Sequence, residues 1–123
     1  MRPSHRNLTK LKRKPKPLDD IALTAFFGDA QHRFTLTDDM IAELERITGM
    51  GIGAVFNQFV AGQFRMQHLA DTIRLGLIGG GMAPEAASAL CHTYARNRPL
   101  AELLPLSLSI LEARWNGAGA VAA

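Results

Sequence analysis

The stretch IALTAFFGDAQHRFTLTDDMIAELERITGMG, residues 21–51, changes its hydrophobic period half-way along, and that change sets the fold class. Ile21, Leu23, Ala25 and Phe27 recur every second position, the spacing of a strand with one buried face. Gly28-Asp29-Ala30 carries turn chemistry, and Phe34 and Leu36 take up the alternation again. This predicts a two-stranded hairpin. A lone hairpin is marginal in water, so its greasy face must lie on helices. After Thr37 the apolar step becomes three or four, through Ile41, Leu44 and Ile47. Asp38 and Asp39 stand where carboxylates meet the unpaired backbone donors of a helix start. Gly49-Met50-Gly51 stops that helix.

Towards the C-terminus the helical period persists. A second helix is expected from about Ile52 to Val60, with Val55, Phe56 and Phe59 inward, ending at Gly62. A third spans Met66 to Ile78, with Met66, Leu69, Ile73 and Leu77 on one stripe. Gly79-Gly80-Gly81 ends it and reads as a flexible hinge. Pro84 and Glu85 open a fourth, running to about Arg96. The last, from about Pro99 to Asn116, has Leu100, Leu104, Leu108, Leu111 and Trp115 along one side, and Pro105 is expected to kink or split it. The fold class is therefore α+β, mostly α: one N-terminal β-hairpin packed on a bundle of about five short helices.

Towards the N-terminus the chain changes character. Residues 1 to 17 hold seven basic side chains and no acid, whereas residues 18 to 123 hold seven basic and eleven acidic ones, a net −4. The overall +3 thus hides a mildly acidic domain behind a basic arm. Residues 1–18, ending Lys14-Pro15-Lys16-Pro17-Leu18, lack apolar periodicity and are expected to be disordered. Residues 19–116 form one domain, and 117–123 a flexible tail of small residues. At 123 residues and 47% hydrophobic side chains the chain can bury a core, with marginal stability. No run reaches the length of a membrane span, no apolar segment follows the basic N-terminus, and Cys91 stands alone. The expectation is a cytoplasmic protein with no membrane contact.

No catalytic or cofactor-binding constellation emerges. His5, His32, His68 and His92 fall on separate elements without metal-ligand spacing, so no metal or other cofactor is expected. Asp38, Asp39, Glu43 and Glu45 are accounted for by a helix start. Cys91, among alanines, reads as a small buried filler with nothing nearby to activate it. Gly49-x-Gly51-x-Gly53 follows a helix rather than a strand and lacks a Gly-Lys-Ser/Thr, so it is not a phosphate cradle. The third and fourth helices could pass for a helix-turn-helix. However, the would-be reading helix opens Pro84-Glu85-Ala86-Ala87, a poor surface for bases, on a net acidic domain. Only the arm, through Lys10, Lys12, Arg13, Lys14 and Lys16, has the charge for nucleic acid.

A series of features, in order, carries a resemblance. They are a hairpin ending Phe34-Thr35-Leu36, Leu44-Glu45 before Gly49-x-Gly51-Ile52, the helix end Phe59-Val60-Ala61-Gly62, and Leu69 to Ile73. Then come Gly76-Leu77-Ile78-Gly79-Gly80-Gly81, Glu85-Ala86, and Pro99-Leu100 opening a leucine-rich helix. From about Ile21 to Asn116 the chain resembles the gene transfer agent and phage family of tail assembly chaperones, whose relatives are also described as tail tube proteins. The resemblance implies a non-enzymatic protein that binds the tape-measure protein, or other tail proteins, before tube subunits polymerise. The basic arm lies outside it.

Two sets of side chains fall off the main apolar stripes: Leu75 and Ile78 on the third helix, and Leu103, Leu106 and Ile110 on the last. A small domain rarely covers every helix face, so these are the candidate partner-binding residues, for the tape-measure protein or for self-association, the alternative being that both stripes are internal in a compact bundle. Alternatives are a structural tail tube component and a small nucleic-acid-binding accessory protein using the arm. Leu8 and Leu11 are the only core-type residues of the arm. Deleting residues 1–17 is therefore expected to shift the melting temperature by no more than about 2 °C, measured by circular dichroism.

Overall fold

The computed structural model describes residues 17–119. Most of the expected arm and the last four residues of the expected tail lie outside the described residues. A short 3-10 turn, Pro17–Ile21, leads into β1 (Ala22–Phe27) and β2 (Ala30–Thr35). Five helices follow: α1 (Asp38–Thr48), α2 (Ile52–Ala61), α3 (Met66–Gly79), α4 (Pro84–Tyr94) and α5 (Leu100–Asn116). The architecture is the expected mostly helical α+β domain with its single hairpin.

The hairpin is antiparallel, with Leu23 opposite Phe34 and Ala25 opposite His32. Its two-residue turn places Gly28 at φ +69°, and a Cβ there would meet the Tyr94 ring at 2.5 Å. Both backbone conformation and the ring of α4 therefore demand glycine. Thr37 caps α1, its Oγ1 accepting the Met40 N–H at 3.2 Å, and Gly49 in the left-handed region ends that helix. The start of α2 has no side-chain cap at Gly51. Glu45 of α1 reaches across the corner instead, its Oε2 accepting the Ile52 N–H at 2.8 Å.

Helix α3 is the centre of the molecule. β2, α1, α4 and α5 all pack on it, and eight of its residues are buried, Leu69, Ile73, Leu75 and Leu77 among them. The expected free stripe of Leu75 and Ile78 is thereby corrected: Leu75 is 2% exposed and Ile78 is half-buried against the core, because neighbours cover α3 on several sides. Met66, expected inside, is 66% exposed.

Of the glycine run that closes α3, Gly79 and Gly80 are packing contacts rather than a hinge, while Gly81, at φ +115°, is open. A Cβ on Gly79 would overlap the Thr35 carbonyl oxygen, and one on Gly80 the Arg33 carbonyl oxygen. Both glycines lie flush on the backbone of β2, and no side chain fits between helix and strand.

Helix α5 stays continuous through Pro105. The proline is exposed and sits in the second turn, where water can serve the carbonyl left without its amide partner. Its buried face is Leu103, Ser107, Ile110, Leu111 and Ala113. This corrects the expected stripe. Leu100 and Trp115 are exposed, and Leu104 and Leu108 are only half-buried. Leu103 and Ile110, expected on an open docking face, are core at 4% and 1% exposure, and Leu106 is half-buried. The cause is a close crossing of α3 and α5. There the Ser107 hydroxyl donates to the Leu69 carbonyl at 3.0 Å, and Gly76 leaves room for Ile110 and Phe34. At the far end of α5 the Arg114 guanidinium donates to the Leu36 carbonyl and to Asp38 Oδ1, both at 2.7 Å, tying the helix to the corner between β2 and α1.

Packing glycines and open glycines should respond oppositely to substitution. Gly79→Ala is expected to cost more than about 2 kcal/mol in urea denaturation, because helix and strand must separate. Gly53→Ala in α2, where the added methyl meets only ordinary contact with Trp115, should be neutral or stabilise by up to about 1 kcal/mol.

Candidate partner-binding site

Seven large apolar side chains are conspicuously exposed among the described residues, and four of them, Phe26, Met66, Tyr94 and Leu100, line two adjoining hollows. The first, of about 530 Å³, lies between α3, α4 and the start of α5. Its floor is Met66 and Ala70 from α3, Cys91 and Ala95 from α4 and its end, and Leu100 and Leu103 from α5. The second, of about 520 Å³, runs from Phe26 and Phe27 across Tyr94 to Leu103 and Leu106. The two share Arg98 and Leu103.

These positions follow from local structure. Met66 opens α3 and is largely exposed at the mouth of the hollow. Ala70, Ser88 and Ala95 are too small to fill the space between their helices, so a channel remains. Asn97, at φ +56°, turns the chain between α4 and α5, a conformation asparagine tolerates better than most residues. That turn sets Arg96 and Arg98 on the rim.

The polar groups of the first hollow are unevenly satisfied. Asp71 is 5% exposed; its Oδ1 accepts from Gln67 Nε2 at 3.2 Å and lies 3.5 Å from Arg74 Nη2, while its buried Oδ2 has no partner. Arg98 pairs with Glu102 at 2.9 Å. Arg96 Nη1 lies 3.0 Å from Nδ1 of His92. Burial pushes the Cys91 thiol from an ordinary 9.0 up to about 11, with Arg74 drawing it down and Asp71 adding to the rise. It is held as the protonated thiol at neutral pH, a poor nucleophile.

Three of the four acids near α1 have structural partners. Asp38 pairs with Arg114, and Glu45 caps α2. Glu43 is bound by Arg46, whose hydrogen bond holds its carboxyl below the usual range. Among the described residues no three His, Cys, Asp or Glu side chains converge as a metal-binding group.

Of the partner-binding residues expected from sequence, Leu103 and Leu106 border these two hollows, and Leu75, Ile78 and Ile110 do not. The nucleic-acid candidates Lys10, Lys12, Arg13, Lys14 and Lys16 lie outside the described residues. Sequence reading missed Met66, Asp71, Arg74, Tyr94, Arg96 and Leu100 as a set. One signal was legible: Arg96-Asn97-Arg98, a basic pair between two helices of a net acidic domain.

A family model described as phage tail tube protein, GTA-gp10, matches residues 20–117, the hairpin and all five helices. The chain belongs to that family. It is a phage or gene transfer agent tail protein, and the sequence resemblance spans almost the same residues as the family match. No curated protein and no solved structure matches the chain. No helix among the described residues of this tail protein is long and apolar enough to cross a membrane.

The Cys91 environment makes stability depend on alkaline pH. With a folded value near 11 against 9.0 in the open chain, the folded state keeps its proton longer. Its contribution is therefore complete below pH 9 and is lost as pH rises through 11. Denaturant midpoints measured from pH 8 to 11 should fall more steeply for the native chain than for Cys91→Ala.

Proposed function

We propose that the protein is a non-enzymatic, cytoplasmic tail assembly chaperone of a gene transfer agent or phage-like particle. In this reading it binds the tape-measure protein before the tail tube polymerises and needs no cofactor. The observation that carries the reading is the gathering of Phe26, Met66, Tyr94 and Leu100 around two joined hollows. Apolar surface concentrated at one concave place is what a transient holder of an aggregation-prone helical chain requires. A tube subunit needs complementary surfaces on two sides so that copies can close into rings or continue as a filament. The family description as a tail tube protein favours a second reading, a structural component of the tube.

Co-expression with the tape-measure protein separates the two. The chaperone reading expects soluble tape-measure protein that co-purifies with this chain, and gel filtration of the chain alone showing a small species. Leu100→Asp with Met66→Asp should abolish co-purification while shifting the melting temperature by less than about 3 °C, since both side chains are already solvated. Ile110→Glu should unfold the domain, because a charge is forced into the core at a cost of several kcal/mol. Rings or tubes formed by the chain alone would overturn the chaperone reading in favour of the tube component. Salt-sensitive DNA binding lost with residues 1–17 would instead give the arm its own role.

A further inference from the structure

The hollow between α3, α4 and α5 has a chemistry of its own. The described domain carries seven basic and eleven acidic side chains, yet this hollow is lined by three arginines, Arg74, Arg96 and Arg98, and one acid, Asp71. Three of the seven basic side chains of the described domain thus line this one hollow, with Arg98 shared with its neighbour. Each arginine is differently committed. Arg98 shares Glu102, and Arg74 leans on Asp71 at 3.5 Å, whereas Arg96 has no carboxylate within 4.0 Å among the described residues and contacts only the His92 ring. Asp71 adds an independent mark of an occupant: a carboxylate nine-tenths buried in the lining, with Oδ2 lacking any donor. Such an oxygen is costly to leave bare, and because it is closed off from solvent a donor reaches it only if the lining gives way.

The shape specifies a helix. Met66, Ala70 and Arg74 follow one another in steps of four along α3, and Ser88, His92 and Arg96 do the same from α4 onward. Two such rows, each with a small residue in it (Ala70 and Ser88), form the kind of groove into which a third helix lays its side chains. We propose that this groove seats an amphipathic helix of a partner protein, its apolar face on Met66, Leu100 and Leu103 and its flanking acidic side chains on Arg74 and Arg96. The inference deepens the chaperone reading and rests on it only for the partner's identity as a tail protein. The rest of the domain, net acidic, repels such a helix and so restricts it to this one place.

The test uses the full chain and two fluorescent synthetic helices sharing one leucine and alanine stripe, one flanked by Glu and the other by Lys. Anisotropy titration should show the Glu helix binding at least about tenfold tighter. The basic arm attracts the same peptide, so the deciding comparison is Arg96→Glu. That exposed residue has no carboxylate partner, and the variant should stay folded. It should cut Glu-helix affinity about tenfold and raise that of the Lys helix. Arg74→Gln should weaken the Glu helix alone. An undiminished Glu preference in Arg96→Glu, or unchanged binding in Leu100→Asp, would overturn the proposal. So would sedimentation showing a dimer that Leu100→Asp dissociates, since a second copy would then be the occupant. If the native chain and Arg96→Glu both capture the tape-measure protein equally, the groove assignment fails and the chaperone reading stands. If the native chain prefers the Glu helix but never captures that protein, the reverse holds.

Discussion

The flush contact between the end of α3 and the backbone of β2 governs the rest of the domain. With Gly79 and Gly80 against the Thr35 and Arg33 carbonyls, α3 runs directly beneath the hairpin, and Phe34 drops onto Gly76. A helix pinned there has to be covered by other elements, and α1, α4 and α5 cover it. Small residues at the crossings allow this: Gly76 on α3, and Ser107 on α5 with its hydroxyl on the Leu69 carbonyl. Large side chains at those positions would hold the helices apart and leave voids that water cannot profitably fill.

Covering α3 consumes most of the polar chemistry as well. Glu45 caps α2, Arg114 joins α5 to the β2–α1 corner, and Thr37 caps α1. Acids that sit close together in sequence are therefore committed one by one to helix ends and ion pairs. Several groups without such a role line the α3–α4–α5 hollow: the buried Oδ2 of Asp71 without a donor, Arg96 bonded only to His92, and exposed Met66 and Leu100.

The hairpin, the five helices and their ends are legible in the amino-acid sequence. Each rests on local rules: alternation in Leu23, Ala25 and Phe27, the acids Asp38 and Asp39 at a helix start, and glycines closing helices at Gly49 and Gly62. The family resemblance is legible too, as an ordered series of such local features. The facing of α5 is not. Sequence pattern gives weight to large apolar residues, and on this helix Leu100, Leu104 and Leu108 outweigh Ser107 and Ala113 by that measure. The close crossing with α3 favours the small residues instead.

What the sequence by itself determined is therefore the order and type of the elements and the charge contrast between arm and domain, because these depend on neighbours in the chain. Only the tertiary structure decided which stripe of α3 and α5 is core. It also decided that Gly79-Gly80 is a contact rather than a hinge, and that Arg74, Arg96 and Asp71 share a hollow with Met66 and Leu100. The physical reason is that burial is a property of what packs against a side chain. For these residues the packing partners lie in other elements, some more than thirty positions along the chain, such as the Leu69 carbonyl that takes the Ser107 hydroxyl.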